Sequence, residues 1–396
     1  MSGLNLDRQD NDASFALDLL RVIAAEMVCT FHAIAFFKVG WLRAPHLPPM
    51  QNFGVCIFFV LSGFLIAHTL VRKSENQQYG FPDYVIDRVA RVYSGWIPAL
   101  IFVALMDAIL FRMGVYDAHR TRTLATFIGN FFMLQQYSGA FAHRLSFPIF
   151  GSGGPFWTMS VEFHIYLFVG AAFFLLRGAR SWLLLLGLLI FSQEAVANST
   201  GTSLFVLWLY GFAAAFILAE CGAQVSSSAW LAIGLVSAAI LGFRMAPNHD
   251  PFDPANYIWL AVSFTALVAL ASRTRLTISA SSSGLVRAVR FCADYSFSLY
   301  LTHYTIMYAA SKFLPLGRFR WAMLMVVVAN LVAMAIAIPT EMRHRRLARW
   351  LRSHLPPVWQ AEKARQGSFI EQTPEQAREP QRQSDQRGRS RGARGF

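Results

Sequence analysis

Hydrophobic residues in this chain fall into long, nearly unbroken runs separated by short polar stretches. A helix needs about 20 apolar residues to cross a bilayer core of roughly 30 Å. Ten runs meet or approach that length: 16–39, 53–72, 92–114, 156–177, 180–194, 202–221, 228–246, 255–272, 291–313 and 319–342. The fifth is the shortest. A further apolar stretch, 122–137, contains Asn130, Gln135 and Gln136 and reads as an interfacial or re-entrant helix. Lipid offers an open backbone no hydrogen-bond partner, so helix is the form these runs must take. The predicted fold is all-α: a polytopic integral membrane helix bundle of about ten transmembrane helices.

Composition agrees with the pattern. Of 396 residues, 55% are hydrophobic and only 14% charged, where a soluble domain carries about 25% charged residues. Mean hydropathy is +0.40. The net charge of +13 is uneven: residues 343–396 hold 13 Lys/Arg against 5 Asp/Glu. Three regions follow: a polar segment 1–14, a transmembrane domain 15–345, and a basic tail 346–396. The tail is rich in Gln, Arg, Gly and Ser and is expected to be largely disordered beyond Pro357. A polybasic segment directly after a last span suits anionic membrane lipid. No nucleic-acid-binding module accompanies the arginines, so nucleic acid is not an expected partner. The positive-inside rule puts this tail in the cytoplasm, and an even number of spans puts the N-terminus there too. Residues 1–14, with Asp7, Asp10 and Asp12, are unlike a cleavable signal, so the first span is expected to stay as an anchor. Cys29, Cys56, Cys221 and Cys292 have no ligand-like spacing and read as small buried hydrophobes, and no metal site is expected.

Ionisable residues inside the runs cost at least about 2.5–3.5 kcal/mol each at a helix centre, so each needs a partner or a function. In the first span Asp18, Arg21 and His32 share a helical face, and Asp18 and Arg21 are spaced to pair. His32 lies about 24 Å along the helix from Ala16, toward the outer side. Imidazole exchanges protons near neutral pH, as a general base must, although a lone buried histidine is more often structural. Glu162, in Trp157-Thr158-Met159-Ser160-Val161-Glu162, should lie about 10 Å below the outer surface, a depth at which it could orient His32. His164 faces away from Glu162 and reads as structural. Arg88 and Arg91 open the third span on one helical side. Two guanidinium forks suit phosphates, although positive-inside anchors explain them as simply. Ser62-Gly63 allows close helix approach. His303 either lines a cavity or bonds a neighbour, and Glu341 reads as a terminal ion pair with Arg343, Arg345 and Arg346. Glu26 has no evident role. Phosphate-cradling glycine loops and nucleophile elbows are absent. Proton-transfer chemistry or transport remain.

Taken in order, five motifs resemble the membrane acyltransferase-3 family. They are Leu17-Asp18-Leu19-Leu20-Arg21 through His32, Gly54-Val55 with Phe58-Phe59-Val60-Leu61-Ser62-Gly63-Phe64, Arg88-Val89-Ala90-Arg91, Trp157 through Glu162 with Tyr166, and Tyr295-Ser296 through His303. The resemblance spans about residues 15–345. It implies transfer of an acyl group, often acetyl, from a cytoplasmic acyl-CoA co-substrate to a hydroxyl of an envelope polysaccharide or glycolipid in a bacterial inner membrane. No cofactor is expected to be bound. By the same resemblance His32 is the base, Glu162 its partner, and Arg88 and Arg91 contact the donor. Asp18, Arg21, Ser62, Trp157, Tyr166 and His303 are expected to bind substrate or support the site. Cys56, Ser94 and Phe163 depart from the family pattern, and no soluble hydrolase-like domain is expected after the spans. The alternative reading is a transporter or flippase of an acylated or anionic solute, which the lack of internal repeats disfavours.

Overall fold

The computed structural model describes residues 6, 11–40, 50–76, 78–116, 121–139, 142–179, 182–197, 199–245, 252–275 and 284–354. Ten long helices correspond to the ten apolar runs. They are α1 (Ala13–Phe36), α2 (Met50–Ser74), α3 (Phe81–Arg112), α6 (Phe156–Leu176), α7 (Trp182–Ala197), α8 (Ser199–Cys221), α9 (Ser227–Met245), α10 (Pro254–Ala271), α11 (Gly284–Ser311) and α12 (Phe319–Ala337). Two short helices, α4 (Leu124–Phe131) and α5 (Ala142–Leu145), lie between α3 and α6. A 3-10 turn, Glu341–Arg343, leads into α13 (His344–Ser353). Eight of the described helices are long and apolar enough to span a bilayer: α1, α2, α3, α6, α8, α9, α10 and α12. Of the other two, α7 has only 16 residues. The second, α11, is long enough but buries Ser296, Ser298, Thr302, His303 and Thr305 in the bundle. Its polarity is turned inward, where it can be satisfied.

The outer surface is apolar, as lipid requires. Ile101, Leu105 and Ile109 form an exposed stripe along α3 at helical spacing. On α9, Leu235 and Val236 are exposed, whereas Trp230, Ser237 and Leu241 are buried. The chain is an integral membrane protein.

Packing gathers most of the described interior into two large apolar clusters, with a small third one under α13. One joins residues of α2, α3, α6, α8 and α10, and the other joins α1, α11 and α12. The tightest crossing is between α2 and α8. A Cβ on Gly63 would sit 1.9 Å from the Trp208 carbonyl oxygen, and one on Gly211 would sit 1.8 Å from that of Val60. Only glycine lets these backbones meet, which is the role expected of the Ser62-Gly63 pair.

The third membrane helix starts earlier than the apolar run suggests. The expected span was 92–114, but α3 begins at Phe81, with Pro82 in its first turn and the Asp83 carboxylate accepting the Gly80 amide. Proline in the first turn and an acidic residue nearby are start signals. Arg88 and Arg91 therefore lie about 10 and 15 Å along the helix, not at its mouth.

Between α3 and α6 the chain folds back on itself. Asn130 donates to the carbonyls of Thr126 and Pro148 and accepts from the Phe150 amide. Gln135 donates to the Phe156 carbonyl, and Ser160 to that of Met133. The polar residues that argued against a span at 122–137 thus tie this segment to the start of α6. Asp107 of α3, fully buried, takes the amide and hydroxyl of Ser152, whose oxygen lies 2.9 Å from Thr305 Oγ1. These bonds fix where α6 enters the bundle, and with it Glu162.

The basic segment after α12 is ordered through Ser353. Ala348 of α13, with Leu347 and Leu351 beside it, packs on Ile86 and Ala90 of α3. Arg352 pairs with Asp83 and Asp87, and Lys73 with Asp87. The expected domain boundary at 345/346 cuts through this helix. The disorder predicted beyond Pro357 falls outside the described residues.

Candidate active site

Where α1, α2, α3, α6 and α11 converge they enclose a cavity of about 150 Å³. Its polar lining is Arg21, Ser62, Arg88, Arg91, Glu162 and Tyr166, together with Thr158, Ser296 and Tyr300. Arg21, Leu65, Arg88 and Arg91 also line a second, wider cavity of about 860 Å³ toward the end that carries α13. The two cavities adjoin at these four residues, so the arginines stand between them.

Each charge at that junction has a defined setting. Asp18 and Arg21 pair at 3.6 Å, as their three-residue spacing predicts. Arg91 reaches Glu341 at 3.1 Å. Glu341 is fully buried and also accepts the amide and hydroxyl of Ser298. The expected terminal pairing with Arg343, Arg345 and Arg346 is therefore wrong. The turn after α12 carries this carboxylate inward, between α3 and α11. Arg88 lies over the Tyr84 ring at 5.7 Å, and its buried Nε has no hydrogen-bond partner.

Glu162 accepts a hydrogen bond from the Tyr166 hydroxyl, one turn along α6. Tyr166 also meets Ser62 at 2.8 Å, and Trp208 Nε1 donates to Ser62 at 3.3 Å. Arg88, Arg91 and Glu162 line the same cavity. Glu162 thus belongs with the arginines. No contact between Glu162 and His32 is present among the described residues. Helix arithmetic puts the two at similar depths but cannot say which faces meet.

His32 instead meets His303 of α11, Nδ1 to Nε2, at 3.0 Å, with stacked rings. His303 is fully buried and bonds through Nδ1 to the Leu299 carbonyl at 2.9 Å. A carbonyl oxygen can only accept, so neutral His303 carries its proton on Nδ1 and accepts at Nε2. His32 then donates from Nδ1, and its Nε2 keeps a free lone pair. His32 is part-exposed, with Tyr304 edge-on at 5.2 Å and Phe36 beyond it. Tyr300 links the two halves of the site. It lines the inner cavity, shares a hydrogen bond with Thr158 at 2.7 Å, and its ring lies 6.1 Å from that of His303.

The remaining expected residues lie elsewhere. Trp157 packs edge-on against Phe252 and does not line the cavity. His164 is buried against Tyr137, consistent with a structural role. Glu26 accepts from Asn330, which also takes the Tyr295 hydroxyl. Sequence reasoning missed Tyr300 and Thr158, although both sit inside segments quoted for the family resemblance. It also gave Glu341 the wrong partner.

A helical membrane bundle with arginine-lined cavities at one end and a histidine pair on other helix faces defines a polytopic membrane protein with a built interior site. The family model described as an acyltransferase domain matches residues 14–340, and the chain belongs to that family, membrane acyltransferase-3. It is an O-acyltransferase. One similar protein is the O-acetyl transferase of Shigella phage Sf6, 23% identical over 77% of this chain and 88% of the phage protein. Another is the peptidoglycan O-acetyltransferase OatA of Listeria monocytogenes, 24% identical over 74% of this chain. The match spans 49% of that Listeria protein. No solved structure matches the chain.

Proposed function

We propose that the protein moves an acetyl group from a cytoplasmic acyl-CoA to a hydroxyl of a cell-surface polysaccharide or lipid-linked sugar, across a bacterial inner membrane with both termini inside. The observation that carries this reading is the pair of adjoining cavities. The wide one lies at the basic end, the two share Arg21, Arg88 and Arg91, and the inner one is lined by Glu162 and by Tyr300 beside His303. A phosphate-rich donor with a long thioester arm fits such a space: its anionic head stays among the guanidinium groups and its arm reaches inward.

In this reading His32 Nε2 takes the proton of the acceptor hydroxyl as the oxygen attacks the thioester carbonyl. The tetrahedral intermediate collapses, the carbon–sulfur bond breaks, and the proton on His32 neutralises the departing thiolate. His303 holds the His32 ring through the Nδ1 bond, the orienting role that a third group fills in nucleophile–base constellations. Glu162, with Tyr166 and Ser62 behind it, lines the same cavity as Arg88 and Arg91 and shapes the wall along which the arm passes.

Replacing His32 with Ala is expected to abolish ester formation on the envelope glycan while membrane insertion is retained. Proton NMR of the purified glycan reads the acetyl signal, and full acetyl content in the variant would overturn the assignment. Purified protein that moves labelled solute across a vesicle wall without forming an ester would instead support the transporter reading.

A further inference from the structure

The wide cavity at the basic end is walled on one side by a helix that the family model does not reach. The match ends at residue 340, and α13 begins at His344. Helix α13 has two faces. Ala348, with Leu347 and Leu351, packs on α3, and Arg352 pins the far end to Asp83 and Asp87. The helix is therefore held by its own contacts and needs no ligand to stay in place. His344, Arg345, Arg349 and Arg352 line the cavity together, at positions that share a helical stripe.

Charge at this cavity is one-sided. Among the described residues Asp87 is the single carboxylate in its lining, and Lys73 and Arg352 already occupy it. Arg345 and Arg349 are exposed into the space and make no carboxylate pair among the described residues. Across from them Arg88 keeps its buried Nε without a partner. Cations gathered around a cavity of about 860 Å³ make a site for clustered phosphates.

We propose that Arg345 and Arg349 are the outer phosphate contacts of the donor, so that α13 completes a binding site which the transmembrane domain begins with Arg88 and Arg91. The inference rests on the donor reading above. Clustered phosphate could also come from an anionic lipid headgroup at the same surface, and the test separates the two sources.

Coenzyme A binding is measured calorimetrically on the full chain in neutral detergent, for the parent, the double variant Arg345→Ala/Arg349→Ala, and Arg346→Ala. Arg346 is exposed, does not line the cavity, and controls for loss of charge alone. The double variant is expected to weaken binding at least tenfold, as the loss of about 1.4 kcal/mol or more of charge-assisted bonding requires, with Arg346→Ala near the parent. Affinity for 3′-dephospho-coenzyme A should differ less between parent and double variant, because one phosphate is already missing. Equal coenzyme A affinity in parent and double variant would overturn the proposal, as would an equal loss in Arg346→Ala. A double variant that binds coenzyme A normally but fails to sediment with phosphatidylglycerol vesicles would assign the arginines to lipid. A parent that does not bind coenzyme A would overturn the donor reading itself, and this inference with it.

Discussion

In the proposed mechanism His32 acts as a base only while its Nε2 is unprotonated, and its contact with His303 helps the backbone bond to Val28 to hold the ring that way. The Nδ1 contact to His303 and the His303 bond to the Leu299 carbonyl form a short relay of fixed polarity. Removing His303 would let the His32 ring turn without displacing it from its helix. His303→Ala is expected to lower kcat about 10–100-fold, the usual cost of losing a group that orients another, with little change in KM for the donor. His303→Gln, whose amide oxygen can accept from His32, should restore part of the rate. Equal losses in kcat and donor affinity would assign His303 to packing. The same polarity fixes the sign of the pH response. An imidazolium has no lone pair, so kcat/KM should fall about tenfold for each pH unit below the titration of His32, and the fall should be reversible. A rate that is flat on the acid side would argue against a histidine base. The residues of this site were legible because buried charge in an apolar run is expensive. Their partners were not. Spacing along α1 puts Asp18, Arg21 and His32 on one face, but only packing decides that α11, not α6, meets His32.

At the level of elements, two features stand outside what hydropathy reports. The start of α3 is one: an apolar window skips its first turns because Asp83, Asp87, Arg88 and Arg91 dilute them, yet Pro82 and Asp83 mark the true beginning. The other is α11, whose inward polar face lowers its hydropathy at the point where the site is built. The turn Glu341–Arg343 then ties α3 to α11 through one carboxylate. Removing one partner of a buried ion pair leaves the other uncompensated, so Glu341→Ala should destabilise the bundle by about 3 kcal/mol. Arg91 remains partly hydrated, which keeps the cost at the low end of that class. A thermal unfolding midpoint in detergent checks it, and an unchanged midpoint would show that the pair carries no stability. The α2–α8 crossing makes a sharper demand. The Trp208 carbonyl lies 1.9 Å from where a Cβ on Gly63 would sit, so even Gly63→Ala must part the helices. A cost of about 1–3 kcal/mol follows from overpacking. Because Ser62 and Trp208 sit at the same crossing, Glu162 and Tyr166 should shift with it. Activity is therefore expected to fall further than stability alone would require, measured as specific activity of the folded fraction.

Across the whole molecule, the arginines and the histidines occupy different parts of one interior. The wide cavity opens beside α13 at the basic end, whereas His32 neighbours Tyr304, which in turn packs against Gly154 at the entry of α6. Tyr300 stands between them. If donor and acceptor enter from opposite sides, acylation must be sided. In sealed proteoliposomes sorted by orientation, radiolabelled acetyl-CoA added outside should acylate enclosed acceptor only where α13 faces outward. Vesicles of the opposite orientation, given the same donor outside, should form no ester until they are permeabilised. The accessibility of Arg346→Cys, exposed on α13 but outside the cavity, to a membrane-impermeant thiol reagent in a cysteine-free background reports the orientation independently. Ester formed equally in both populations would mean that donor and acceptor share one entrance, and the cavity lined by Arg88, Glu162 and Tyr300 would then have no transmembrane role. Tyr300→Trp offers a second handle on the same path. A larger ring beside His303 should block passage of the thioester arm and depress ester formation while coenzyme A binding at the basic end persists. That split is what a two-ended route requires, and a site with one entrance would lose both together.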